Sequence, residues 1–126
     1  MVLVVYLLSL VNVFGDKEET IMANWSYTLK TNGRKLRDLI NSDDSSQENC
    51  VAILDQVIVC CKELLPKLSE EDRDWYEYDL EEMIDDCEDT KSYLDEFDEE
   101  SNEDNINDML SQFYDLMNTM RVWIAL

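Results

Sequence analysis

Residues 103–124 read EDNINDMLSQFYDLMNTMRVWI. Ile106, Met109, Leu110, Phe113, Leu116, Met117, Met120 and Trp123 recur there at steps of three and four. That spacing draws one apolar stripe along a helix and leaves the other side polar. The methionines in it read as adaptable core filling. Three further stretches carry the same period. Residues 47–65 place Cys50, Ile53, Leu54, Val57, Ile58, Cys61, Leu64 and Leu65 on one face, and Pro66 ends them. Residues 70–97 have an inward face of Tyr76, Leu80, Met83, Ile84, Cys87, Leu94 and Phe97. Ser69 is placed to cap them, Glu70, Glu71 and Asp72 suit the positive helix end, and 88–90 is a possible break. Residues 18–40 carry Ile21, Trp25, Leu29, Leu36, Leu39 and Ile40, with Gly33 as an interruption.

Four amphipathic helices predict an all-α, four-helix bundle. Pro66 and Ser69 bound a tight turn, so the second and third helices should be antiparallel neighbours. The other two links are about seven residues each, a reach of ~23 Å at ~3.3 Å per residue. That length suits an up-down-up-down order. An up-up-down-down order requires the first and third helices to stop short and lengthen the links.

Composition narrows the function. The chain has 126 residues, 30 Asp+Glu against 10 Lys+Arg, and a net charge of −20. Such a surface repels polyanions, so nucleic acid and anionic membrane are not expected partners. The absence of His removes His-based triads and His-bearing zinc sites. Two Gly and one Pro leave no phosphate-cradling loop. Residues 68–100 hold seventeen acids and two bases but no Gly, which excludes an EF-hand. No pair of acids stands out as a catalytic couple. The expectation is a non-enzyme with no metal and no cofactor. Its acidic face is either simply solvated or steers a basic partner.

Residues 1–15, MVLVVYLLSLVNVFG, are uncharged, with small residues Val13 and Gly15 before charges begin at Asp16. They read as a signal peptide, too short for a comfortable transmembrane span. The expected domain is then 16–126, a secreted chain with no membrane insertion after cleavage. The single sequon at Asn24 is a candidate glycosylation site. Four Cys suit an oxidising compartment. Cys50 and Cys87 average to 68.5, close to the turn between the second and third helices, so they are level candidates for a disulfide. Such a bond is worth ~4 kcal/mol on the chain-entropy model. Cys60 and Cys61 are either buried thiols, a competitor for Cys87, or a link between chains.

Residues 24–42, NWSYTLKTNGRKLRDLINS, and 105–120, NINDMLSQFYDLMNTM, resemble the first and last helices of short-chain four-helix cytokines of the interleukin-2, interleukin-15 and interleukin-21 group. The first opens on Asn-Trp and closes on an Asp-Leu-Ile-x-Ser run. The last shares an acid before Met109-Leu110, then Phe113 and an apolar pair at Leu116-Met117. The resemblance implies an up-up-down-down bundle that signals through paired type I receptors, one of them the common γ chain. It implies receptor contacts at Thr31, where the family carries an acid, and at Asn118, where it carries a glutamine. Gln112 and Asp115 share the polar side of the last helix with Asn118 and join the candidate receptor-binding residues. The alternatives are a secreted or viral bundle that sequesters a partner without signalling, and a cytosolic interaction module.

Eukaryotic expression tests the signal segment. The expected product is a released chain that begins near Asp16. A cytosolic protein that keeps Met1 would contradict it.

Overall fold

The computed structural model describes the backbone of residues 13–120 and the side chains of residues 27–120. Four α-helices follow one another: α1 (Val13–Ile40), α2 (Gln47–Leu64), α3 (Glu70–Tyr93) and α4 (Glu99–Thr119). The expected four-helix, all-α architecture is the one observed, with no strand among the described residues. Residues 1–12 of the expected signal segment and Trp123 of the α4 stripe lie outside the described residues, and so does the side chain of Asn24.

Each helix start has a local cause. Ser46, Ser69 and Asp98 each accept a bond from the backbone N–H three residues on, at Asn49, Asp72 and Ser101. Such a cap satisfies one of the donors that a helix start leaves unpaired. Pro66 does not stop the chain abruptly, because a 3₁₀ turn (Leu65–Lys67) carries it one step past α2. Gly33 does not interrupt α1. It is buried within a continuous helix. The 88–90 stretch does not break α3, which ends at Tyr93. Phe97 therefore falls in the α3–α4 link and is 88% exposed, not part of an inward face.

Consecutive helices are antiparallel. Lys67 Nζ donates to Thr28 Oγ1 near one end of the α1–α2 pair, and Asn49 Nδ2 donates to the Leu39 carbonyl at the other, 3.3 Å away. Gln47 Nε2 donates to the Leu94 carbonyl at 3.0 Å, joining the start of α2 to the end of α3. Tyr76 Oη donates to the Thr119 carbonyl at 3.3 Å, joining the start of α3 to the end of α4. The order is thus up-down-up-down, and the up-up-down-down order implied by the resemblance is not found. The links explain it. Residues 41–46 reach only ~20 Å at ~3.3 Å each, and α2 is ~27 Å long at ~1.5 Å per residue.

The core centres on α2. Leu54, Val57, Cys61 and Leu64 are almost wholly buried, and they meet Leu80 and Cys87 of α3 and Phe113 and Met117 of α4. Leu29 and Leu36 of α1 complete the cluster. Among the described residues, α1 packs most closely on α2 and the 3₁₀ turn, and its end shares a cleft with α4.

Two buried asparagines fix the arrangement. Asn32 donates to Glu63 Oε2 at 2.7 Å and to the Thr28 carbonyl at 3.0 Å, and accepts from Gln56 Nε2 at 2.6 Å. Asn102 brackets Asp95: its Nδ2 donates to the Asp95 carbonyl at 2.5 Å, and its Oδ1 accepts from the Asp95 N–H at 2.9 Å. These bonds satisfy side chains that would be costly to bury unpaired.

All four cysteines are buried free thiols, so the expected Cys50–Cys87 disulfide is not formed. Two physical reasons account for it. The cross-helix bonds 47 to 94 and 55 to 91 average 70.5 and 73, so the level partner of Cys50 lies beyond Cys87. Cys50 also turns away from α3: its thiol reaches the Ser45 carbonyl and feels Asp44, Glu103 and Glu99. Burial first, then Cys60 and then Cys87, raises the Cys61 thiol, so Cys87 lies toward Cys61 instead. Burial pushes the Cys60 and Cys87 thiols up to about 12. Thiols held protonated are poor nucleophiles. Ellman's reagent should therefore label the native protein slowly and find four thiols in guanidinium without reductant. Two thiols that titrate only after reduction would reinstate the cross-link.

Candidate protein-binding surface

The candidate receptor-binding residues divide between two helices. Gln112, Asp115 and Asn118 are all exposed on the outer side of α4, as their position opposite the apolar stripe requires. Phe113 and Met117 point the other way into the core. Thr31 is exposed on α1. Thr31 lies on α1, whose closest packing is with α2 and the 3₁₀ turn, so the structure does not gather it with the α4 residues.

The surface that stands out is on α3. Trp75 and Tyr78 are each 71% exposed and Tyr93 is 74% exposed. With Glu82, Asp86 and Asp89 they follow steps of three and four. At 100° per residue the six positions fall within about 80° of the helix circumference, along ~27 Å of its length. They lie well away from the phase of Leu80, Met83 and Cys87, which face the core. The chain thus spends three large aromatics on solvent in a helix whose core stripe is already complete. Sequence reasoning passed over them because it followed the core phase through Tyr76. The available signal was an aromatic series running out of that phase.

The electrostatics of this face are repulsive. Tyr78 Oη donates to Glu82 Oε2 at 3.1 Å, and that bond, with the Glu82 charge, holds the phenol above its ordinary value. Partial burial, followed by the charges of Glu82, Asp89 and Asp85, raises the Asp86 carboxyl. The nearby cation is occupied elsewhere: Lys91 Nζ is 2.6 Å from Asp55 Oδ1 on α2. An acidic surface with exposed aromatics suits a basic protein. Guanidinium groups pair with carboxylates and also stack on aromatic faces.

Among the described residues, no group of three or more His, Cys, Asp or Glu is placed to hold a metal ion. Also among the described residues, no helix is long and apolar enough to cross a membrane. Comparison with known proteins finds no matching family model, curated protein or solved structure.

The Asp86 shift carries a sign. Its folded-state value is raised, so proton uptake favours the folded chain. The penalty is complete above that value and fades as pH falls through it. Thermal melts should therefore rise as pH falls from neutral through that value, before the remaining carboxylates are neutralised. They should also rise with added salt at pH 7. Asp86→Asn should stabilise the protein at low salt by about 0.2–0.5 kcal/mol, the scale of a like-charge pair on a helix. A melt that salt lowers would contradict this account.

Proposed function

We propose that this chain is a helical protein ligand that acts by binding a basic surface on another protein, with no catalytic step. The observation that carries this reading is the α3 stripe, where Trp75, Tyr78 and Tyr93 stand in solvent among Glu82, Asp86 and Asp89. Tryptophan and tyrosine are the residue types that most often dominate binding energy. The net charge of −20 adds long-range attraction and speeds encounter with a basic partner.

The resemblance of residues 24–42 and 105–120 makes the partner a cell-surface receptor pair of the type I class, including the common γ chain. The chain is then a secreted cytokine or cytokine mimic. The exposed Gln112, Asp115 and Asn118 support a second contact on α4, on a less charged face than that of α3. The up-down-up-down order favours a second reading. Cytokine bundles reach their up-up-down-down order through long crossovers, which this chain lacks. A bundle that occupies a partner without signalling needs no such order.

Surface plasmon resonance against type I receptor ectodomains separates the readings when combined with STAT phosphorylation in lymphocytes. Trp75→Ala and Tyr78→Ala should each weaken binding by tenfold or more, and Asn118→Asp should weaken binding to the γ chain. Stability at these exposed sites should change by under about 0.5 kcal/mol. Phe113→Ala, a core deletion, should cost ~3–5 kcal/mol. Binding with phosphorylation supports the cytokine reading, and binding without it supports sequestration. If the ectodomains bind but tolerate both aromatic substitutions, the α3 face is not the contact.

A further inference from the structure

A cleft on the other side of α2 carries a separate inference. It encloses about 300 Å³ where the end of α1, the α1–α2 link, the start of α2 and the first half of α4 meet. Its floor is apolar: Ile53, Ile106 and Leu110 are buried there, with Ile40 half-buried beside them. Its rim carries Ser45, Asn49, Asn107 and three exposed carboxylates, Asp43, Asp44 and Glu103, and the lining contains no Lys or Arg. Glu103 Oε2 accepts from Ser45 Oγ and Asp44 Oδ1 from the Ser46 N–H, each at 3.0 Å, which leaves the second oxygen of each carboxylate and all of Asp43 for a cation. Cys50 in the floor registers the resulting potential, its thiol raised first by burial and then by Asp44, Glu103 and Glu99.

An apolar floor beneath a polar, anionic rim suits an aliphatic stem that ends in a cation. The stem covers apolar surface while the charged head stays at the edge. A carboxylate rim favours the guanidinium, which can form two parallel bonds to one carboxylate. A carboxylate-bearing group would be repelled by the rim, and a neutral apolar group would gain nothing from it. We infer that this cleft is a docking site for an arginine side chain of a basic protein segment, with the stem on Ile53, Ile106 and Leu110 and the head among Asp43, Asp44 and Glu103. The site does not depend on the α3 stripe, so each surface can fail without the other.

The test uses the full chain labelled with ¹⁵N and a short peptide carrying one arginine between leucines. Titration should shift the amides of Asp44, Cys50, Glu103 and Asn107. The citrulline version of the peptide, which has the same shape and no charge, should bind at least tenfold more weakly. Asn107→Trp fills the mouth of the cleft from an exposed position and should abolish the shifts. Asp43→Asn combined with Glu103→Gln should weaken binding by tenfold or more. Glu77→Gln combined with Asp108→Asn, an equal charge change outside the lining, should leave binding within twofold. Circular dichroism confirms that each variant keeps its helix content. Equal binding of the citrulline peptide, unchanged shifts in Asn107→Trp, or shifts centred on Trp75 and Tyr78 would each overturn the proposal. Spermidine that binds more tightly than the peptide and moves the same amides would assign the cleft to a free polyamine and overturn it as a protein-docking site.

Discussion

The structure depends on α2 being enclosed from three sides. Of the four helices it alone is apolar over most of its length, and Leu54, Val57, Cys61 and Leu64 have essentially no contact with water. The other helices each own one apolar stripe, and each stripe has the same place to go. At about 25 cal/mol per Å² of apolar surface removed from water, this is the favourable contribution able to oppose the self-repulsion of thirty acids. It also sets where the acids sit. With the inner faces committed to α2, the carboxylates of α3 and α4 have only the outer faces, and there they create the field that a basic partner would meet.

Burial around α2 does not by itself choose how the helices slide, since apolar stripes tolerate a shift of one turn. The buried polar groups supply the choice. Asn32 is satisfied only when Gln56 and Glu63 stand opposite it, and a slip of α1 would strand it. A polar residue in an otherwise apolar seam fixes register in this way in paired helices generally. Asn102 has the same role at the α3–α4 link, where it replaces the partners that the backbone of Asp95 would otherwise lack. Asp43, with φ of 55°, turns the α1–α2 link in the left-handed region that Asp tolerates better than most residues.

Much of this was legible in the sequence, for reasons that can be named. Four apolar stripes at helical spacing gave four helices, and the Ser69 cap lies where it was expected. Both buried asparagines were visible in principle. Asn32 continues the series Leu29, Leu36 and Leu39, and Asn102 extends the series of Ile106 and Met109 back by one turn. What misled was the treatment of positions as symmetric about a turn. Cys50 and Cys87 are level in numbering, but the register of α2 on α3 is displaced and Cys50 faces α4. Phe97 continues the phase of α3 in sequence, but the helix ends at Tyr93 before reaching it. The α3 aromatics were overlooked because periodicity locates what is buried and is silent on what is left outside.

The direction of α1 against α2 is the claim on which fold and proposed function both turn, since it separates this bundle from the up-up-down-down crossover order that a cytokine reading of the sequence would require. Nuclear Overhauser contacts measure that direction. The antiparallel arrangement places Leu39 beside Asn49 and Thr28 beside Lys67, and contacts between those pairs are the result the account predicts. Contacts that instead join Leu39 to Leu64, at the far end of α2, would contradict it.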